Sequence, residues 1–99
     1  LSFFFNKIMI NIGDIVVSTA GHDRGEYYLV IECDKDFIYV ANGRLKTLDK
    51  PKKKNIKHVS RLGKSDEFID IRKSDNNFND VKLKYLLKNW RSKCLNQTL

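Results

Sequence analysis

From Asp14 onward, short apolar runs alternate with tight polar breaks at a spacing too brief for helices. The first run, Asp14 to Ala20, is rich in β-branched residues and bracketed by Gly13 and Gly21. In the second, Tyr27 to Cys33, strand periodicity places Tyr27, Leu29, Ile31 and Cys33 on one face and Tyr28, Val30 and Glu32 on the other. A polar turn, Asp34 to Asp36, leads to a third strand, Phe37 to Ala41. Asn42-Gly43 accepts the positive φ values of a type I′ hairpin and predicts a fourth strand from Arg44 to Leu48. A loop from Asp49 to Asn55 then precedes a fifth strand, Ile56 to about Leu62. Short strands joined by tight turns predict a mainly β fold, a small barrel or sandwich in which closure hides the edges.

The period changes near the carboxyl end. Leu83, Leu86, Leu87 and Trp90 fall at i, i+3, i+4 and i+7, with Asn79 or Asp80 available as a cap. A helix is expected over residues 80–94, packed on the barrel, with Lys82, Lys84, Lys88 and Arg91 on its other face. Between the two parts, Phe68, Ile69 and Ile71 form a short strand or lie against the barrel, and residues 73–79 are a polar linker. The barrel is assigned to residues 9–72. Residues 1–8 are expected to be a non-native or disordered extension ahead of a natural start at Met9, since the Phe3 to Phe5 run is too short for a signal-peptide core. With 99 residues, one domain can bury about 60–65% of its unfolded surface and fold without staples.

The glycine-framed turn between the first two strands carries chemistry. Gly21 and Gly25 enclose His22-Asp23-Arg24, so a tight tip offers backbone amides and one cation to a phosphate chain. Gly13-Asp14 opening a strand, Val16 in its first inward slot, Gly21 at the turn and the Arg24-Gly25 pair together resemble the KOW motif of ribosomal proteins and transcription elongation factors. Ser18 departs from that pattern, standing where an apolar residue is usual. The likeness extends through ANGRLKTLDKPKKKNIKHV (residues 41–59), is similar to KOW-type large-subunit ribosomal proteins, and covers Gly13 to Leu62. It implies a five-stranded SH3-like barrel, structural turn glycines at Gly13, Gly21, Gly25 and Gly43, and RNA, most plausibly ribosomal RNA, as the ligand.

Charge placement points the same way. The net charge is +7, yet residues 1–43 hold three basic and six acidic side chains, whereas residues 44–64 hold nine basic and one acidic. Lys50, Lys52, Lys53, Lys54 and Lys57 have only Asp49 nearby in sequence, so the block repels itself until a polyanion arrives and releases counterions. Arg44, Lys46 and Arg61 extend the patch if the strands close, Arg24 reaches the ligand from the glycine turn, and His58 adds a hydrogen bond. A membrane surface fits less well, because residues 50–57 have no apolar face to insert. Tyr27, Tyr28, Phe37, Tyr39 and Trp90 read as core rather than as stacking platforms.

Catalysis finds little support. His22 and His58 have no nucleophile at a useful spacing, no motif pairs two carboxylates, and Gly63-Lys64-Ser65 is too short for a P-loop. Cys33 and Cys94 have no metal-ligand spacing; one disulfide is arithmetically open, but a lysine-rich chain without a secretion signal favours free thiols in a reducing cytosol. Cys33 reads as core filler. The expectation is a cytoplasmic, non-enzymatic RNA-binding protein without cofactor or metal. It would read RNA chiefly through phosphates and shape, perhaps beside ribosomal or transcription proteins. The competing readings are a protein-interaction module of a transcription or translation complex and a DNA-binding or nucleoid protein. Only the resemblance favours RNA over DNA.

Overall fold

In a computed structural model, which describes residues 10–65 and 78–97, the apolar runs form β1 (Asp14–Ser18), β2 (Tyr27–Cys33), β3 (Phe37–Ala41), β4 (Lys52–Asn55) and β5 (Val59–Lys64). A 3₁₀ turn, Ile56–His58, joins the last two strands, and one helix, α1 (Asp80–Gln97), follows. The strands make one antiparallel sheet in the order β4-β3-β2-β1-β5, not closed into a barrel. Strands β1 to β4 form a meander, and β5 returns to the far side of β1. The expected extension 1–8, the Phe68 to Ile71 run and residues 73–77 of the linker lie outside the described residues.

Both faces of the sheet are apolar, because neighbouring β-branched and aromatic residues alternate across it. Ile15, Leu29 and Ala41 face the helix and are sealed by Leu83, Leu86 and Leu87, with Tyr27, Ile31, Leu62 and Trp90 packed around them. Val16, Tyr28, Val30, Ile38 and Val40 form a second core with Ile10 on the other face, flanked by Ile56 and Val59. Fully burying one such side chain stabilises by about 1.5–3 kcal/mol, so the helix stripe is a main anchor of the first core. The expected periodicity of α1 holds, with Leu83 completely buried and Leu86 and Leu87 nearly so. Asn79 caps it, its side-chain oxygen accepting from the Lys82 N–H at 2.9 Å. The helix runs to Gln97, three residues beyond the expected end.

The fourth strand is not where the hydrophobic pattern predicts it. Residues 44–48 are not a strand, and the lysine-rich stretch assigned to a solvated loop forms β4 instead. The reason lies at Asn42. Its side-chain oxygen accepts from the N–H groups of Arg44 and Lys46 at 3.0 and 3.2 Å, while the Asn42 and Gly43 N–H groups donate to the Lys46 carbonyl. Local bonds therefore consume the backbone groups that a two-residue hairpin would hand to a ladder. Gly43 adopts φ 79°, and a Cβ there would lie 2.4 Å from the Asp80 carbonyl oxygen, so glycine lets the loop meet the first turn of α1. Asp80 fixes the other end of this approach by accepting from the Leu48 N–H at 2.9 Å.

Two smaller expectations also change. Cys33 is exposed rather than core, because the register shift between Val30 and Glu32 breaks the alternation before β2 ends. Cys33 and Cys94 are both free. Ser18 does not thin the core: it is buried, and its hydroxyl donates to Ala20 O and Asp23 Oδ1. No helix among the described residues is long and apolar enough to cross a membrane.

Candidate functional site

The turn between β1 and β2 is closed by two backbone bonds, Ser18 N–H to Glu26 O at 2.9 Å and Gly25 N–H to Ser18 O at 2.8 Å. Gly13, Gly21 and Gly25 all have positive φ, as the sequence implies, at 94°, 88° and 91°. Within the turn, Arg24 and His22 are exposed at the tip, and Asp23 is folded inward.

Asp23 is the hub. Its carboxylate accepts from Ser18 Oγ at 2.9 Å, Tyr28 Oη at 2.7 Å, Lys52 Nζ at 2.9 Å and Lys54 Nζ at 3.1 Å. Lys54 also donates to the Ala20 carbonyl at 3.2 Å, and its side chain is only 7% exposed. Burial alone would raise the Asp23 pKa, but hydrogen bonds from Lys52, Tyr28, Ser18 and Lys54 outweigh it and hold the carboxyl well below the usual range. The same contact acts oppositely on Tyr28, whose phenol is pushed above its ordinary value by burial and then by the Asp23 charge.

This cluster corrects the sequence reading of the basic block. Lys52 and Lys54 do have a carboxylate partner, 29 and 31 residues away, and they belong to a strand rather than a loop. Strand alternation sends both toward Asp23 and turns Lys53 to the opposite side, where its ammonium lies 4.3 Å from the Phe37 ring centroid. Arg61 is likewise paired: its Nε donates to Asp14 Oδ2 at 2.9 Å, and Asp14 is 1% exposed. So three of the expected ligand contacts, Lys52, Lys54 and Arg61, are bound to carboxylates of the fold.

Arg24, Arg44, Lys46, Lys50, Lys53 and Lys57 remain, none with a carboxylate within 4 Å among the described residues. All except the half-buried Lys46 are exposed. His58 is exposed too, and its carbonyl accepts from the Thr19 N–H at 2.8 Å, which brings the 3₁₀ turn against the end of β1. Sequence reasoning missed a further set. Lys84, Lys88 and Arg91 stand beside Arg44 around a notch of about 240 Å³ between the sheet and the helix. Their i, i+4, i+7 spacing was the available signal, since it puts three cations on one helix face. Tyr27 lines this notch, its phenol raised above the ordinary value by burial and then by a hydrogen bond with the Cys94 thiol.

Among the described residues, no three His, Cys, Asp or Glu side chains are grouped so that they could hold a metal ion. In comparison with known proteins, no family model matches the chain and no curated protein matches it.

Proposed function

We propose that this protein is a cytoplasmic, non-enzymatic RNA-binding protein of the KOW type, associated with the ribosome and contacting RNA phosphates from one cationic surface. One observation carries the reading. The fold spends its buried carboxylates, Asp14 and Asp23, on Arg61, Lys52 and Lys54, yet leaves Arg24, Arg44, Lys50, Lys53 and Lys57 exposed with no carboxylate in reach among the described residues. Exposed like charges of this density repel one another, and a polyanion relieves that repulsion with release of its counterions. The strand order, with a single 3₁₀ turn joining the two edge strands, supports an SH3-like architecture. The positive φ values of the turn glycines fit the KOW resemblance. RNA is preferred over DNA through that resemblance.

The test is the salt dependence of binding. Lys50, Lys53 and Lys57 are exposed, so replacing all three by alanine leaves the melting curve within about 0.5 kcal/mol per site. The slope of log affinity against log salt for ribosomal RNA should flatten by about 2–3 units, at roughly 0.7–0.9 per lost phosphate contact. Competition with duplex DNA separates the nucleic acids, and gradient sedimentation of a lysate reads ribosome association.

A second reading, docking to a protein, is favoured by exposed apolar side chains: Leu45 at the loop tip is 89% exposed, and Val81 and Tyr85 lie one turn apart on α1 at 55% and 63%. It takes the lead if the triple variant keeps the parent's RNA affinity and salt slope.

A further inference from the structure

The polar face of α1 is opposed by another cation rather than by acids. Lys84, Lys88 and Arg91 on the helix and Arg44 on the 42–51 loop surround the 240 Å³ notch, whose apolar wall is Tyr27 and Leu87. At its floor, Asn42 Nδ2 donates to Glu26 Oε2 at 2.8 Å. Glu26 is the one acidic side chain lining the notch, and its other oxygen lies 3.7 Å from Arg91 Nη2, so it offsets at most one of the four cations. Arg91 is also held over the Tyr27 ring, 5.0 Å from its centroid. Lys84, Lys88 and Arg44 have no carboxylate within 4 Å among the described residues.

A second hollow of about 490 Å³ adjoins the first, sharing Glu26, Asn42 and Arg91, and adds Arg24 and Lys46. Together they make one groove, from the tip of the β1–β2 turn to the middle of α1. A cationic track with an apolar, aromatic-walled notch suits a chain that carries phosphates and flat rings alternately. A duplex keeps its bases stacked inside and presents only phosphates on a convex surface, so it would touch the rim and leave the notch unused. An acidic peptide would satisfy the cations and likewise leave the notch wall uncovered.

We propose that this groove binds a single-stranded segment of RNA, one unpaired base entering the Tyr27–Leu87 notch while flanking phosphates sit on Arg44, Lys84 and Lys88. This rests on the RNA-binding reading above and adds the strand form and a surface that reading does not include.

The experiment compares the full chain with Lys84→Ala/Lys88→Ala and with Tyr27→Leu, using a single-stranded oligouridine and a blunt RNA duplex as probes. The lysine pair is fully exposed, so its melting curve should match the parent's. The parent should bind the oligouridine more tightly than the duplex. The lysine variant should lose about tenfold in oligouridine affinity, and its salt slope should fall by about 1.4 units, for two contacts at roughly 0.7 each. Tyr27→Leu keeps an apolar wall without a ring face and should lower oligouridine affinity several-fold while sparing the duplex. If the lysine variant keeps the parent's affinity and slope while the Lys50/Lys53/Lys57 variant does not, the groove is wrong and RNA binding stands. A parent that prefers the duplex overturns single-strand recognition. Equal competition by polyglutamate overturns RNA as the occupant, and a parent that binds neither RNA overturns both proposals.

Discussion

Replacing Asp23 with asparagine should be among the most damaging conservative changes in this chain. The carboxylate holds two ammonium groups and two hydroxyls at 2.7–3.1 Å, and it alone ties the β1–β2 turn to the side chains of β4. Lys52 is 32% exposed and can turn to water, so its share is small. Lys54 is 7% exposed and Tyr28 2% exposed, and neither can. Removing one member of a buried ion pair typically costs about 3–5 kcal/mol, because the surviving charge stays buried without its partner. With the Lys52 share discounted, about 3–4 kcal/mol is expected. Against a total stability of about 5–15 kcal/mol, that lowers the melting temperature by roughly 15–25 °C.

Circular dichroism melts and urea titrations measure the loss, and pH identifies its cause. The folded pKa of Asp23 lies below its unfolded value near ~3.9. Its stabilisation is therefore complete above that unfolded value and disappears as pH falls toward the folded one. The gap between parent and Asp23→Asn should be full at pH 5–7 and close progressively below about pH 4. Adding Lys54→Met to Asp23→Asn removes the stranded ammonium and should recover at least half of the lost stability. An Asp23→Asn protein within about 1 kcal/mol of the parent at neutral pH would refute the reasoning, as would a gap that persists unchanged at low pH.

Two further perturbations test the packing of the helix. Gly43→Ala combines a left-handed φ with a Cβ 2.4 Å from the Asp80 carbonyl oxygen, so about 1–3 kcal/mol should be lost in urea titrations, with the 42–51 loop the first segment to exchange its amide protons. Gly63→Ala places a Cβ 2.5 Å from the Trp90 ring, which must move outward; the expected readout is a red-shifted, more readily quenched tryptophan emission than the parent's.

The strands that face an apolar neighbour on each side were legible. β2 and β3 match their expected bounds, and β1 stops two residues short of the expected end. The helix stripe was legible for the same reason, since burial of Leu83, Leu86 and Leu87 follows from spacing alone. β4 was not. Its sequence, Lys52-Lys53-Lys54-Asn55, has no apolar alternation, and it pairs as a strand because each side chain finds a distant partner: Asp23 for Lys52 and Lys54, Phe37 for Lys53. A charge run reads as solvated whenever its partners are sought nearby in sequence. The wrong placement of the fourth strand has the complementary cause, since Asn42-Gly43 marks a turn correctly but cannot show that the asparagine side chain will bind the following amides.

The same nonlocal pairing decides which charges are left for a ligand. Nine basic residues crowd positions 44–64, yet their density says little about binding until the acids that meet them are known. Two turns supply those acids. Asp14 opens β1 and reaches Arg61 across the β1–β5 pair, and Asp23 folds back under β4. Neutralising Lys52, Lys54 and Arg61 divides the block into cations that hold the fold and cations that face solvent. A variant that removes Lys52, Lys53 and Lys54 together would therefore confound the two roles: the loss of Lys54 leaves Asp23 short of a donor, and any drop in binding would follow partly from a loosened turn. Substitutions confined to Lys50, Lys53 and Lys57, or to Lys84 and Lys88, avoid that problem because each side chain is exposed and bound to no carboxylate among the described residues. Comparing the two sets is then a comparison of two surfaces, one at the β4 edge with its 3₁₀ turn and one between the sheet and the helix, in a protein whose stability both variants leave intact.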